Sequence, residues 1–373
     1  VHRSAWARER FGALADQLFA ALDRADPLAD ALVATLAGRF DAGAALRERE
    51  AGALVDPHVA ALIDDAAQVP AWVDWDAIER ARGLFERTGI AGGFVLSLRS
   101  LMAGYIAPAG NKPLAFSGRL REQAPRRVAE TARFVTAVAA PGGMRVGAEG
   151  WSITVQVRLM HAQVRRLLLA SGRWDHAAWA EPINQHDMLA TVLLFSEVYV
   201  EGLRKLGFRV RAREAEDWLH LWCWVGRVMG CEDALLPRSY AQAQAQRELI
   251  QHTQGPPDDD ARALAAALLA TPPGHAPPWV HRLAGVRLGF ASALSRHLMG
   301  PVMAEGLGIA ASPAWTAAIA RVPPLVDLLE QARERLPGVD DELRGLGRRY
   351  WAFVVEAALR GTPAEFARPA RLA

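Results

Sequence analysis

Along most of this chain apolar residues recur three and four positions apart, and alternating runs of β-branched residues are scarce. That spacing places the apolar side chains on one stripe of a helix and offers no two-sided surface for a sheet. The expected fold is all-α. With 373 residues, 51% of them hydrophobic, there is enough apolar surface for one large core. The proline-rich connections Thr253–Asp260 and Thr271–Pro278 are too short to demand a domain boundary, so the expectation is a single helical domain.

Stop and start signals divide the chain. Ser4–Leu22 reads as one capped amphipathic helix, with shorter helices at Ala29–Phe40 and Pro57–Ala67. Asp74 or Asp76 suits the cap of a helix running to Thr88. Gly89–Tyr105 is apolar and glycine-rich, which in a helical protein means close helix packing or close approach to something flat and buried. Further helices are expected at Leu120–Val138, Trp151–Leu169, from Pro182 to about Leu206, and at Arg213–Met229. On the helix Trp151–Leu169, Arg158, His161, Ala162 and Arg165 share one face.

Composition excludes several function classes. A formal charge of +2 does not imply a polyanion, so no nucleic-acid partner is expected. Cys223 and Cys231, eight apart in one expected helix, would lie about 12 Å apart along it, too far for a disulfide. Two cysteines also rule out a Cys₄ zinc site, and eight apart they lack the cysteine spacing of a Cys₂His₂ finger. No signal-peptide pattern is visible at the start of this sequence, which leaves a secreted mature form and a cytoplasmic protein both open. No uncharged run reaches transmembrane length, and peripheral membrane contact stays open. Nucleophile elbow, P-loop, dinucleotide fingerprint and H-E-x-x-H are all missing, and the paired Glu-x-x-His elements of a di-iron bundle do not occur.

What remains is a pair of helices with polar residues among apolar ones. One carries Arg158 and His161; the other opens with His186 at the head of the run Met188–Tyr199. A b-type haem needs an imidazole on a rigid element, an apolar slot and cations for its propionates. His186 meets the first need, Gly89–Tyr105 with Leu189, Leu193 and Phe195 the second, and Arg158, Arg165 or Arg166 the third. By spacing alone, the plainer reading of His186 is a hydrogen-bonded residue at a helix start, and His220, among tryptophans, reads as core packing.

Five segments occur in order: Leu101–Tyr105 with Gly118–Leu120, Glu130–Phe134, Val157–Arg165 and Pro182–Thr191. Together they resemble the family of MpaB-type oxygenases and latex-clearing proteins, over about Gly89–Pro237. The resemblance implies a globin-like core, one haem b, and dioxygen as co-substrate for oxidising or cleaving a hydrophobic olefin such as cis-polyisoprene. It implies residues 1–88 as a helical extension, 89–237 as the haem-binding core and 238–373 as helices packed on it. By position it makes His186 the proximal iron ligand, with Arg158 beside the haem and Arg165 available to it. His161 falls where the family has a distal lysine, Ala162 follows where the family has threonine, and Glu130 matches the acidic residue assigned as a base. Two readings from other classes stand beside it: a haem sensor or electron carrier whose sixth position is closed by His161, and a cofactor-free lipid-binding helical protein.

Overall fold

The structure is a computed structural model, and it describes residues 4–36, 38, 40–53, 55–116, 124–270 and 283–359. Among the described residues all regular structure is helical. In chain order come α1 (Ala5–Phe11), α2 (Ala13–Ala21), α3 (Pro27–Thr35), α4 (Ala42–Glu50), α5 (Pro57–Ala67) and α6 (Trp75–Val95). A π-helical turn, Leu96–Leu101, and α7 (Met102–Gly104) continue α6 without a loop. Then come α8 (Pro108–Phe116), α9 (Ala124–Val138), α10 (Glu149–Ala170), α11 (His176–Trp179), α12 (Gln185–Phe195), α13 (Glu197–Lys205), α14 (Ala212–Val228), α15 (Tyr240–Thr253) and α16 (Asp259–Ala270). The C-terminal part includes Ala284–Met299, Val322–Arg335 and Val339–Leu359.

Side-chain caps fix many of the starts. Asp26 accepts from the Ala29 amide at 3.3 Å and Asp56 from the His58 amide at 2.8 Å, each with proline at the first helical position. Of the two aspartates expected before α6, Asp74 is the cap, accepting from the amides of Asp76 and Ala77.

α6, α10, α12 and α14 form the centre, and large aromatics fill it. Trp151, Trp218, Trp222 and Trp224 are fully buried. Three of them place the indole N–H on a carbonyl: Trp151 on Ala66 at 3.0 Å, Trp218 on Phe195 at 2.8 Å and Trp224 on Met144 at 2.9 Å. The bonds tie core side chains to two helix ends and to the turn before α10, and each satisfies a polar atom that would be costly to bury alone.

Three expected helices differ in detail. Ser4–Leu22 is two helices, broken at Gly12, whose φ of 55° and ψ of −131° only glycine adopts readily. The helix expected from Pro182 to Leu206 begins at Gln185 and breaks at Ser196 (φ −107°, ψ −83°). Cys231 lies beyond the end of α14; both cysteines are free and buried.

The glycine-rich run resolves mainly as close helix packing. Gly89, inside α6, takes φ 41° and ψ −118°, and a Cβ there would meet the Gly347 Cα of the helix Val339–Leu359 at 3.2 Å. A Cβ on Gly347 would run into the Glu86 carbonyl. Gly92 lies against the Tyr199 hydroxyl and Gly93 against that of Tyr350. The line between residues 88 and 89 therefore falls at a kink within one long helix.

No single helix among the described residues is long and apolar enough to cross a membrane.

Candidate functional site

His186 lies in the first turn of α12 with its side chain 1% exposed. The chain leading to it is fixed residue by residue. Ile183 sits at φ 53°, a left-handed conformation that a β-branched side chain rarely adopts, at a strain of about 1–3 kcal/mol. The Arg165 guanidinium donates from Nε to the Pro182 carbonyl and from Nη2 to that of Ile183, both at 3.0 Å. Charge-assisted bonds of this kind contribute roughly 1.5–3 kcal/mol each and offset the strain. Asn184 caps α12, accepting from the Asp187 amide at 2.9 Å. Gln185 bolts the turn to two other segments: Nε2 donates to the carbonyls of Ala25 and Gly230, and Oε1 accepts from the Glu232 amide.

Asp187 completes the arrangement. Its Oδ1 lies 3.0 Å from His186 Nδ1 and its Oδ2 accepts from Asn184 Nδ2 at 3.3 Å. A carboxylate on one imidazole nitrogen fixes the tautomer and directs the other nitrogen outward as an acceptor, the usual support of a metal-ligating histidine.

Arg158, His161, Ala162 and Arg165 occupy one face of α10, as their spacing requires. Both arginines are buried and engaged by protein acceptors through all three guanidinium nitrogens. Arg158 donates from Nε and Nη2 to Asp26 at 2.6 and 3.0 Å and from Nη1 to Asp65 at 2.7 Å. Asp65 also accepts from Arg227 at 2.8 and 3.1 Å, so two carboxylates and two guanidiniums alternate across α3, α5, α10 and α14. Burial opposes the Arg158 charge, but Asp26 and Asp65 outweigh it and hold its pKa above the ordinary value. Asp65 is held below its usual range by Arg227 and Arg158 despite burial. Arg165 pairs through Nη1 with Asp30. Arg166 donates to the Val33 carbonyl at 3.1 Å.

His161 differs from its neighbours. Its Nδ1 is closed off from solvent and has no hydrogen-bond partner among the described residues. Burial, reinforced by the Arg165 charge and opposed by Asp26, lowers its pKa to about 4. Between two charged arginines the imidazole is therefore neutral, with a nitrogen available as an acceptor or ligand. Ala162 beside it is fully buried. Glu130 lies half-buried on α9, beyond the buried Ala129. The Gly118–Leu120 part of the resembling segments lies outside the described residues. His220 is taken up structurally: its Nε2 accepts from the Asp74 amide at 2.8 Å and its ring stands edge-on to Trp72.

An apolar cleft of about 150 Å³ adjoins α12. Ala103, Gly104, Ala190, Leu193, Leu194 and Val198 supply apolar wall, and Asp187, Arg99 and Arg247 supply polar groups. Of the residues expected to wall a slot, Arg99, Ala103 and Gly104 of the glycine-rich stretch and Leu193 do so; Leu189 is buried in the core and Phe195 stacks on Trp222 at 4.4 Å. Arg99, in the π-helical turn, donates to Glu201 at 2.9 Å. Arg247 Nε lies 2.7 Å from the carboxylate of Glu197, which is fully buried. Asp187 is the link: it touches His186 on one side and the cleft on the other.

Among the described residues no cluster of three or more His, Cys, Asp or Glu side chains is placed to hold a metal ion. A porphyrin brings four of its own ligands and asks the protein for one or two imidazoles. The carboxylate-oriented His186 and the orphaned Nδ1 of His161 fit that demand.

Sequence reasoning missed Asp26, Asp30, Asp65 and Asp187. The first two had a local signal: acidic residues four apart about Pro27, matching arginines seven apart on α10. Asp187 was legible as the third helical residue after an Asn cap, the last position of an Asn-x-x-Asp pattern.

The family model described as the catalytic domain of the ER-bound oxygenase mpaB/B′ and rubber oxygenase matches residues 75–330. A rubber oxygenase of Streptomyces sp. (strain K30) is 26% identical over 307 residues, covering 79% of this chain and 70% of that protein. The solved structure of latex clearing protein in its closed state superposes with a TM-score of 0.66 at 22% identity, over 89% of this chain and 91% of the other. The latter likeness is one of fold.

Proposed function

We propose that this chain, which belongs to the family of ER-bound mpaB/B′ oxygenases and rubber oxygenases, is a haem b-dependent oxygenase acting on a hydrophobic olefin. A polyisoprene such as the rubber of its 26%-identical relative is the leading substrate. Haem b, when bound, would supply the activation of dioxygen. The residues of this chain do the rest. His186 Nε2 would hold the haem iron, with Asp187 accepting from Nδ1 and so keeping the imidazole in the ligating tautomer. His161, kept neutral by burial, would offer the haem a second imidazole. The apolar cleft on α12 receives an alkene chain and excludes water from it. Glu130 is assigned the allylic proton. Arg158 bears on the site by anchoring α10, its charge balanced by Asp26 and Asp65.

The observation that carries this reading is the pairing of a carboxylate-oriented histidine with a second, orphaned one in an oxygenase-family chain. The absorption spectrum and haem content of the purified protein test it. A Soret band with about one haem per chain is expected; a colourless protein that takes up no added haem overturns it and leaves the cofactor-free lipid binder. The orphaned His161 also favours a second reading, a six-coordinate haem sensor or electron carrier. Oxygen uptake with a polyisoprene emulsion and detection of carbonyl products separate the two, and Glu130→Gln should slow that turnover without changing the spectrum.

A further inference from the structure

The Arg165 fork takes two consecutive carbonyls, Pro182 and Ile183, each at 3.0 Å. A planar guanidinium offers parallel donors at fixed spacing, so both acceptors must face the same way. In extended backbone successive carbonyls point to opposite sides; here the two are brought to one side ahead of the helix by Ile183 at φ 53°. Three residues later stands His186, with the Asn184 cap between them. The third guanidinium nitrogen is held by Asp30 of α3, so the fork's orientation is set from outside the turn. One contact is an ion pair, with Asp30; the fork itself goes to two neutral carbonyls.

We propose that Arg165 is a positioning residue for His186: its fork holds Ile183 in the left-handed conformation and thereby sets where α12 starts and how the imidazole is presented. The consequence for haem rests on the oxygenase reading above; the clamp itself does not.

The experiment uses Arg165→Gln, Arg165→Lys, Ile183→Gly and the double variant Arg165→Gln/Ile183→Gly. Glycine adopts positive φ without strain, so it removes the need for the clamp. Haem release to excess apomyoglobin is followed in the holo-proteins, and amide exchange at residues 184–188 in the apo-proteins. Arg165→Gln should speed haem release about tenfold or more and raise exchange at the Asp187 and Met188 amides. Arg165→Lys, which keeps the charge but loses the fork, should recover little. Adding Ile183→Gly to Arg165→Gln should recover most of the loss in both measurements.

Full recovery by lysine with no rescue by glycine would make Arg165 a charge partner of the ligand and overturn the proposal. Unchanged exchange and release in Arg165→Gln would overturn it as well. Should Arg165→Gln alone fail to fold, a folded, haem-retaining double variant supports the clamp and an unfolded one overturns it. Should the wild type take up no haem, the oxygenase reading fails, and the exchange measurements still decide the clamp.

Discussion

The two ends of α12 are built in opposite ways. At its start every residue from Pro182 to Asp187 has a polar partner, and strain at Ile183 is held by a buried guanidinium. At its end Ser196 breaks the helix with its hydroxyl turned back on the Val192 carbonyl at 2.7 Å, and among the described residues the one side chain from another helix that bonds the last turn is Trp218, on the Phe195 carbonyl. Glu197 follows, fully buried, close to Arg247 but with no well-directed hydrogen bond to either carboxylate oxygen among the described residues. Burial pushes the Glu197 pKa up, with Arg247 pulling the other way. The first end has the over-determination of a ligand site. The second borders the apolar cleft through Leu193, Leu194 and Val198 and carries a buried carboxylate whose oxygens lack a directed partner among the described residues.

The largest effect expected from this contrast is at the first end. His186→Ala should abolish haem retention, read as loss of the Soret band, whereas His220→Ala should keep it; a normal spectrum in the first variant breaks the comparison outright. Next, Asp26→Asn keeps a competent cap on α3 but leaves Arg158, 3% exposed, short of negative charge, since Asp65 is shared with Arg227. Denaturant unfolding should show a loss of about 3 kcal/mol, the range for breaking a buried pair. Glu197→Gln should cost clearly less, because Arg247 retains 28% exposure and can be solvated. Equal losses would erase the distinction between the two ends.

The pH dependence sharpens the same point. The Glu197 pKa is raised in the folded protein, so its contribution is fully present below the ordinary Glu value of 4.5 and lost as pH rises through the folded one. Glu197→Gln should therefore gain on the wild type as pH rises through that window. His161 runs the other way. With its pKa lowered from 6.5 to about 4, the apo-protein should lose stability as pH falls between those values, by up to roughly 3 kcal/mol. His161→Phe should flatten that slope. The smallest effects lie in the caps: Asn184→Ala should cost about 1 kcal/mol, and Ser196→Ala only a few tenths, roughly, in thermal unfolding.

Much of this was legible because it is local. The α10 face, the Asp74 cap and the start of α14 follow from three- and four-residue spacing and from capping chemistry. The break at Ser196 was not, since no glycine or proline marks it; the turn is set by what α12 and α13 pack against. The partners of Arg158 and Arg165 were hidden by distance along the chain: Asp26 lies 132 residues from Arg158 and Asp30 lies 135 from Arg165. A pattern of arginines on one helix face shows that cations gather there, but not whether ligand or protein neutralises them. The two histidines illustrate the same limit. Sequence placed both, while only the structure shows one oriented by a carboxylate and the other without a partner.

The crossing of Gly89 and Gly347 bears on the order in which the molecule is made. The helix Val339–Leu359, which covers α6 there, leaves the ribosome after the whole stretch from α6 to Arg335 has been synthesised. Until it arrives, Phe85 lacks the Trp351 ring stacked on it at 4.5 Å, and Gly93 lacks Tyr350. The centre of the protein is thus closed by a piece added late, outside the 75–330 region that the family shares. Truncation before Val339 should leave α6 with an open apolar side and a protein that aggregates on expression rather than one that is merely less stable.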